Sequence, residues 1–352
     1  MATPTLRLFV CAGEASGDQL AAALVTELRA RGPVDAFGLA GPAGRAAGIR
    51  AIARTEDVQA MGIAEIVPQL PRLARILRRL VAAAREARPD RVLTIDSPDL
   101  MARIGQRTVG VAPRLHWVAP QVWAWRPHRL RTLRRAWDEI LCLLPFEPAI
   151  LRVAGFDATF VGHPAATAPP AGPRDPALVA LAPGSRPSEL GRLWPVLRQV
   201  GVALRRRRPD LRFVVPVAST TEVPQGFDAQ WVRGVAAAAH AGVAVTASGT
   251  ATLEWAAAGV PQVAIYAVNP VSWALARRLV HVPGISLPSV LMGKRAVPEF
   301  IQDLPPEAIA EAALALLGPA GAAQVQALSS SIHALDGGRA IAKAADRIMA
   351  PR

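Results

Sequence analysis

Short apolar runs alternate along this chain with longer stretches in which apolar positions recur every three or four residues. The runs read as buried strands and the stretches as helices. In the first half, strands are expected at Leu6–Ala12, 36–40, 92–96, 114–118, 139–144 and 159–161. Helices are expected at 18–31, 71–88 and 150–154, with a further short one at 127–137. Five prolines, Pro164, Pro169, Pro170, Pro173 and Pro176, then crowd into a stretch that reads as a linker. The alternation restarts with strand 178–182, helix Pro187–Arg207, strands 212–216 and 242–245, helix 250–258 and strand Gln262–Tyr266. Ala-rich helical spacing covers 305–317 and 322–349. Alternating strands and helices predict parallel sheets with crossover helices. The restart predicts an α/β protein of two facing Rossmann-like domains, a cleft between them, and a helical C-terminal tail. The expected division is 1–165, a linker at 166–176, a second domain at 177–330, and a last helix in 331–352 that packs back on the first domain.

In open parallel sheets, ligands bind beyond the carboxyl ends of the strands. Asp96 closes the run Arg91-Val92-Leu93-Thr94-Ile95 at such an end, and Pro98 stiffens the turn that leads to Asp99. Asp96 fits a general base toward a hydroxyl, while Asp99 fits a helix cap; a plain turn accounts for the same spacing. The loop Gly13-Glu14-Ala15-Ser16-Gly17-Asp18 follows the first strand. Its carboxylates suit sugar hydroxyls, or a simple cap at Asp18, and both readings stand.

The second half offers different loops. Pro183-Gly184-Ser185-Arg186 links a strand to a helix. Glycine lets the backbone approach a phosphate, the helix N-terminus favours an anion, and Arg186 can make a two-pronged contact. A capped turn with a surface arginine is the plain alternative. Ser248-Gly249-Thr250 opens the next helix by the same logic. Glu254 lies one turn up on the face of Thr250. From there its carboxylate can take two ribose hydroxyls, and its apolar surroundings ask for a partner.

Composition narrows the partners. The chain has 352 residues, 51% of them hydrophobic and 19% charged, enough for two cores and too apolar for long disordered tracts. The net charge is +13, carried almost wholly by arginine, since Lys294 and Lys343 are the only lysines. With no nucleic-acid motif beside it, that charge points to a phosphorylated substrate or an anionic membrane surface. Residues 61–88 combine an apolar stripe (Ile66, Leu70, Leu73, Leu77, Leu80, Ala84) with Arg72, Arg75, Arg78, Arg79 and Arg85. This reads equally as a helix packed on its sheet and as a basic amphipathic surface for lipid. Three of the eight tryptophans fall in 116–126, where Trp123 suits a wall for a sugar or acyl chain, or core packing. Cys11 and Cys142 sit in apolar runs as buried free thiols. No zinc or redox spacing appears. Leu6–Ala12 is too short for a secretory signal. The uncharged stretches 234–253 and 255–276 read as buried α/β elements rather than membrane spans.

Nine blocks in order carry a resemblance. They are Ala12-Gly13-Glu14-Ala15-Ser16-Gly17-Asp18, Met61-Gly62-Ile63-Ala64-Glu65-Ile66, Ile95-Asp96-Ser97-Pro98-Asp99, and Pro120-Gln121-Val122-Trp123-Ala124-Trp125-Arg126. Then come Leu144-Pro145-Phe146-Glu147, Gly162-His163-Pro164, Pro183-Gly184-Ser185-Arg186 with Glu189, 247–254, and Ser286-Leu287-Pro288. With them the chain resembles the lipid-A-disaccharide synthase family over nearly its whole length. The resemblance implies a GT-B fold and inverting glycosyl transfer with no metal or other cofactor. The donor it implies is UDP-2,3-diacylglucosamine, and the acceptor is 2,3-diacylglucosamine 1-phosphate (lipid X). The product would be the β-1,6-linked lipid A disaccharide 1-phosphate, with UDP released. By the same resemblance Asp96 is the base on the acceptor 6-hydroxyl, and Arg186 with residues 248–250 stabilises the leaving diphosphate. Glu254 holds the ribose, and Gly184, Ser185, Ser248, Gly249 and Thr250 line the donor side. Glu14, Ser16, Asp99, Trp123, Arg126 and Ser289 fall to the acceptor. The implied setting is cytoplasmic, peripheral to the inner membrane, with a homodimer as one expected assembly. The chain departs from the family pattern where Met101 and Ser289 replace asparagine and Thr167 replaces aspartate. Those departures leave room for a homologue with another UDP-sugar or acyl substrate, or for an inactive membrane-surface module.

Overall fold

A computed structural model describes residues 4–59, 66–121, 129–167, 172–185, 187–217, 226–268 and 284–351. The chain forms two compact units, Met1–Gly162 with Arg339–Arg352, and His163–Gly338.

The first unit runs β1 (Leu6–Ala12), α1 (Ala15–Arg31), β2 (Val34–Ala40), α2 (Pro42–Ala46), β3 (Arg50–Arg54), α3 (Glu56–Gln59) and α4 (Ile66–Ala87). It continues with β4 (Arg91–Ile95), α5 (Pro98–Arg107), β5 (Arg114–Trp117), α6 (Arg129–Leu133), β6 (Glu139–Cys142), α7 (Glu147–Val153) and β7 (Asp157–Phe160). Its sheet is seven-stranded in the order β3-β2-β1-β4-β5-β6-β7, with every pairing parallel. Successive residues of β1 serve opposite faces. Leu8, Val10 and Ala12 pack with Leu24, Val25 and Leu28 of α1, while Phe9 and Cys11 pack with Leu77 and Leu80 of α4 and Met101 and Ile104 of α5. That explains the unbroken apolar runs, since a parallel sheet is covered on both sides. Each leucine, valine, isoleucine, phenylalanine or methionine taken fully from water contributes about 1.5–3 kcal/mol before entropy is counted.

The second unit holds β8 (Asp175–Ala182), α8 (Pro187–Arg207), β9 (Arg212–Val217), β10 (Gln230–Arg233), β11 (Ala241–Ala247), α9 (Ala251–Ala257) and β12 (Gln262–Tyr266). After these come α10 (Leu287–Met292), β13 (Glu299–Ile301), α11 (Pro306–Leu316) and α12 (Pro319–His333). Its six-stranded parallel sheet is ordered β10-β9-β8-β11-β12-β13. The last helix, α13 (Ala340–Met349), belongs to the first unit. There Ala344, Ala345 and Ile348 join the α1 face, and the Arg31–Asp346 and Arg347–Glu139 ion pairs, at 2.5 and 2.9 Å, fasten it.

Some elements differ from the sequence expectation. The edge strands β3, β10 and β13 and the helix α5 were not expected. Arg50–Arg54 has three half-buried apolar residues between two exposed arginines, so it lacks the longer buried run that marked the central strands. The expected helix at 322–349 breaks into α12 and α13, because Asp336 takes a left-handed φ of 46° just ahead of Gly337-Gly338. The 61–88 stripe divides along α4, with Leu70 exposed and the later positions packed. Ile76, Leu77, Leu80 and Ala84 are buried in the sheet's core, while Arg75, Arg78, Arg79 and Arg85 are exposed. Of the two uncharged stretches, the parts in the described residues form β11, α9 and β12, all largely buried. Among the described residues no single helix is long and apolar enough to cross a membrane.

Candidate active site

Each sheet reverses its strand order once next to its first strand, at β1/β4 and at β8/β11. The loops leaving those four strands carry nearly all the candidate residues.

In the first unit, β4 ends in two successive left-handed residues, Asp96 (φ 56°) and Ser97 (φ 41°). Such backbone is uncommon outside glycine and costs on the order of 1–3 kcal/mol per residue, strain that tends to collect at functional sites. Here the Ser97 amide donates to Asp96 Oδ1 at 2.7 Å, and the Ser16 hydroxyl donates to Asp96 Oδ2 at 3.0 Å. One oxygen is thus set by its own turn and the other by the loop after β1. The Ser97 hydroxyl donates in return to Glu14 Oε1 at 3.3 Å. The two loops approach closely at Gly13, where a Cβ would lie 2.7 Å from the Ser97 side chain. Glu14, Ser16 and Asp96 therefore form one linked cluster, with Asp96 half-buried. Asp99 stands in the first turn of α5, exposed, where the helix dipole favours its charge.

Asp18 is a cap, but of α2 rather than of the helix in which it stands. It is buried and accepts the amides of Gly41, Ala43 and Gly44 at 2.7, 2.9 and 3.1 Å. Its carboxylate is thereby committed to the start of α2.

In the second unit, Gly184 turns the chain after β8 with φ 99°. A Cβ there would lie 2.5 Å from Glu189 Oε2 and 3.3 Å from Ala247 Cβ, so the β8 and β11 loops run side by side. Ser185 and Thr250 are exposed. Ser248 is half-buried, and its hydroxyl donates to the Ile285 carbonyl at 2.7 Å. Glu254 sits one turn into α9, half-buried, with no hydrogen-bond partner for its carboxylate among the described residues. Burial pushes its carboxyl pKa up. An unpartnered carboxylate in such a place suits an incoming pair of hydroxyls.

Trp123, Arg126 and Arg186 lie outside the described residues. Ser289 is fully buried; its hydroxyl lies 2.8 Å from that of Ser286 and accepts the Ala296 amide at 3.0 Å. The resemblance placed it among the acceptor contacts; in this structure both sides of its hydroxyl hold a turn. Thr167 caps its own short 3-10 helix, donating to the Pro164 carbonyl, and Met101 is buried in the core.

Among the described residues, His116, His163 and both cysteines lie outside these loops in sequence. His116 is buried, stacked on Trp137 at 3.9 Å and bonded to the Thr94 hydroxyl at 2.9 Å. Burial pushes its pKa down to about 3. His163 accepts the Ala165 amide, and burial lowers it to about 4. Cys11 and Cys142 are buried free thiols, and burial pushes Cys11 up to about 12. Among the described residues no group of three or more His, Cys, Asp or Glu could hold a metal ion. Sequence reasoning passed over Ser97, which locks the β4 turn, and Ser286 with Glu299, which brace the β11 loop; the consecutive polar residues after Ile95 were the only local signal for the first.

Comparison with known proteins places the chain among glycosyltransferases. The profile of the family described as lipid-A-disaccharide synthetase matches residues 8–349. The lipid-A-disaccharide synthase of Anaeromyxobacter dehalogenans is 40% identical over 350 residues, covering 92% of this chain and 91% of that one. That of Pseudomonas aeruginosa is 37% identical over 376 residues, covering 98% and 97%. Among solved structures, the calicheamicin glycosyltransferase CalG4 superposes with a TM-score of 0.64 at 16% identity, covering 98% of each chain. Staphylococcus aureus MnaA, solved with UDP, gives 0.64 at 13%, covering 97% of this chain and 96% of that one. These structural likenesses carry the fold alone, and that fold is GT-B.

Proposed function

The chain belongs to the lipid-A-disaccharide synthase family, and from that premise we propose the donor, the acceptor and the stereochemistry of its reaction. As a hexosyltransferase of lipid A biosynthesis it works on a UDP-sugar and a lipid. In the proposed reaction the donor is UDP-2,3-diacylglucosamine and the acceptor is 2,3-diacylglucosamine 1-phosphate. The acceptor 6-hydroxyl attacks the donor's anomeric carbon from the face opposite UDP. A new carbon–oxygen bond forms as the bond to the diphosphate breaks, which inverts the configuration. The hydroxyl proton passes to Asp96, and the electron pair leaves on UDP.

The observation that carries this reading is the Asp96 carboxylate, set on a strained strand-end turn and oriented by Ser16 and by the Ser97 amide. A base held in one direction needs little reorganisation when the hydroxyl arrives. Glu14, Ser16, Asp99, Trp123 and Arg126 serve the acceptor in this reading. On the donor side, Gly184 and Ser185 admit the diphosphate, Arg186 and residues 248–250 stabilise its developing charge, and Glu254 takes the ribose hydroxyls. The exposed arginines of α4, Arg75, Arg78, Arg79 and Arg85, support peripheral attachment to the anionic inner face of the membrane.

The test is UDP release by the purified chain given both substrates in detergent micelles. The expected result is release that depends on the acceptor, with a β-1,6 disaccharide 1-phosphate of matching mass. UDP release without acceptor dependence, or an α-linked product, would overturn the assignment. Flotation with anionic vesicles that weakens as salt rises is the matching test of attachment.

A further inference from the structure

Glu299 stands on an edge strand outside the loops described above, yet three hydrogen bonds converge on it. The Ile285 amide donates to Oε2 at 2.9 Å, and the Ser286 amide and hydroxyl donate to Oε1 at 3.0 and 2.7 Å. Gly284 makes this possible, since a Cβ there would lie 2.7 Å from each carboxylate oxygen. Because a carboxylate can only accept, the Ser286 proton goes to Glu299, and Ser289 supplies the proton shared between the two hydroxyls. Bonds to an ionised acceptor are the strong ones, so the turn 284–286 is held to β13 rather than left to wander.

That turn reaches the donor loop directly. The Ile285 carbonyl takes the Ser248 proton at 2.7 Å, and the Leu287 amide donates to the Thr252 hydroxyl at 3.3 Å. A carbonyl cannot donate, so the direction of the first bond is fixed. Ser248 therefore presents only oxygen lone pairs to a ligand, and its backbone, whose amide donates to the Ile265 carbonyl at 2.9 Å, is held just ahead of the turn into α9. We propose that Glu299 is a positioning residue for the nucleoside-diphosphate site, acting through the Ile285 carbonyl on Ser248. This rests on the donor-site reading given above. It adds that the β11 loop is preorganised by a carboxylate 45 or more residues away in sequence, and that Ser248 meets the donor as an acceptor of hydrogen bonds, with phosphate left to the backbone amides.

The experiment is titration of UDP into the full chain, with thermal melting as a check on folding. Glu299→Gln turns an amide nitrogen toward one of the backbone donors and is expected to weaken UDP binding about tenfold. In a Ser248→Ala background the same change should cost less than about threefold, since contacts in one network are not additive. A structural role without a route to Ser248 would give equal losses in both backgrounds. Should Glu299→Gln fail to fold, Ser286→Ala removes one of the three bonds and is expected to weaken UDP binding about threefold, again only when Ser248 is present. Unchanged UDP affinity in the folded variants, or equal losses in both backgrounds, overturns the positioning role alone. A parent chain that binds no UDP overturns the donor-site reading, and this role with it.

Discussion

The two units solve the same folding problem and arm it differently. Each is a parallel sheet whose strand order reverses beside its first strand, and each presents paired loops at that reversal. In the first unit those loops carry carboxylates cross-linked by serines: Glu14 with Ser97, and Asp96 with Ser16. In the second they carry glycines and hydroxyls, Gly184, Ser185, Ser248, Gly249 and Thr250, with Glu299 turned to bracing behind them. Proton transfer needs a carboxylate in a fixed direction, while a diphosphate needs hydrogen-bond donors, which backbone amides at a helix start supply. The scaffold is common to both, so the chemistry of each unit is decided by a few residues at the strand ends.

The sharpest way to break that division is Asp96→Asn. The amide keeps the shape of the turn and cannot take a proton, so turnover should fall about 10²–10⁴-fold, the usual scale for a lost general base. UDP affinity, which the proposed reading assigns to the other unit, should stay the same. Joint loss of both would mean the two loop pairs do not divide the work. Gly184→Val is the reciprocal change. It forces a branched side chain into a φ of 99° and against Glu189. The expected cost is about 1–3 kcal/mol, read as weaker UDP binding together with a lower melting temperature.

What made these loops legible in the sequence was their position after strong apolar runs. Asp96 follows a strand whose five residues are all buried, and Gly184 follows one whose last five are. Where that marker was missing, legibility failed. The helix α5 hid behind Ser97-Pro98-Asp99, which has the composition of a turn, although Met101 and Ile104 already had helical spacing. The burial of Ser289 was equally invisible, because only the fold shows that none of it is exposed. Glu299 left no trace at all, since its partners lie 13 and 14 residues back and reach Ser248 only through a bond spanning 37 more.

A smaller effect per unit of pH comes from two histidines buried among the described residues, one in each unit. Both have pKa values lowered by burial, His116 to about 3 and His163 to about 4, against 6.5 for the free side chain. Below pH 6.5 the unfolded chain binds a proton that the folded chain refuses. Their contribution to stability is thus complete above 6.5 and is lost as pH falls, toward 4 for His163 and toward 3 for His116. Each contributes a slope of about 1.4 kcal/mol per pH unit inside its window. Melting temperatures measured from pH 7.5 to 4.5 should fall steadily below 6.5. His116→Phe, which can keep the stacking on Trp137, should flatten the slope in the first unit alone. A slope unchanged in that variant would mean that His116 is not the group refusing the proton.

The smallest effect is also the one most specific to the division of labour. Ser16→Ala removes the hydroxyl that donates to Asp96 Oδ2 and leaves the Ser97 amide on Oδ1. The base survives, but one of its two guides is gone, and the carboxylate can swing about its own turn. A single hydrogen bond to a charged group, half of it replaced by water at this exposed serine, is worth about 1 kcal/mol, or about fivefold in kcat/KM for the acceptor. If Ser16 only orients the base, kcat falls and the acceptor KM holds; if it also grips the acceptor, KM rises as well, and the split between the two constants separates the roles. UDP affinity should be unmoved in either case. A Ser16→Ala chain that loses UDP binding would tie the first unit's serine to the second unit's ligand, and the contrast between acid–base loops and anion loops would no longer follow the division into units.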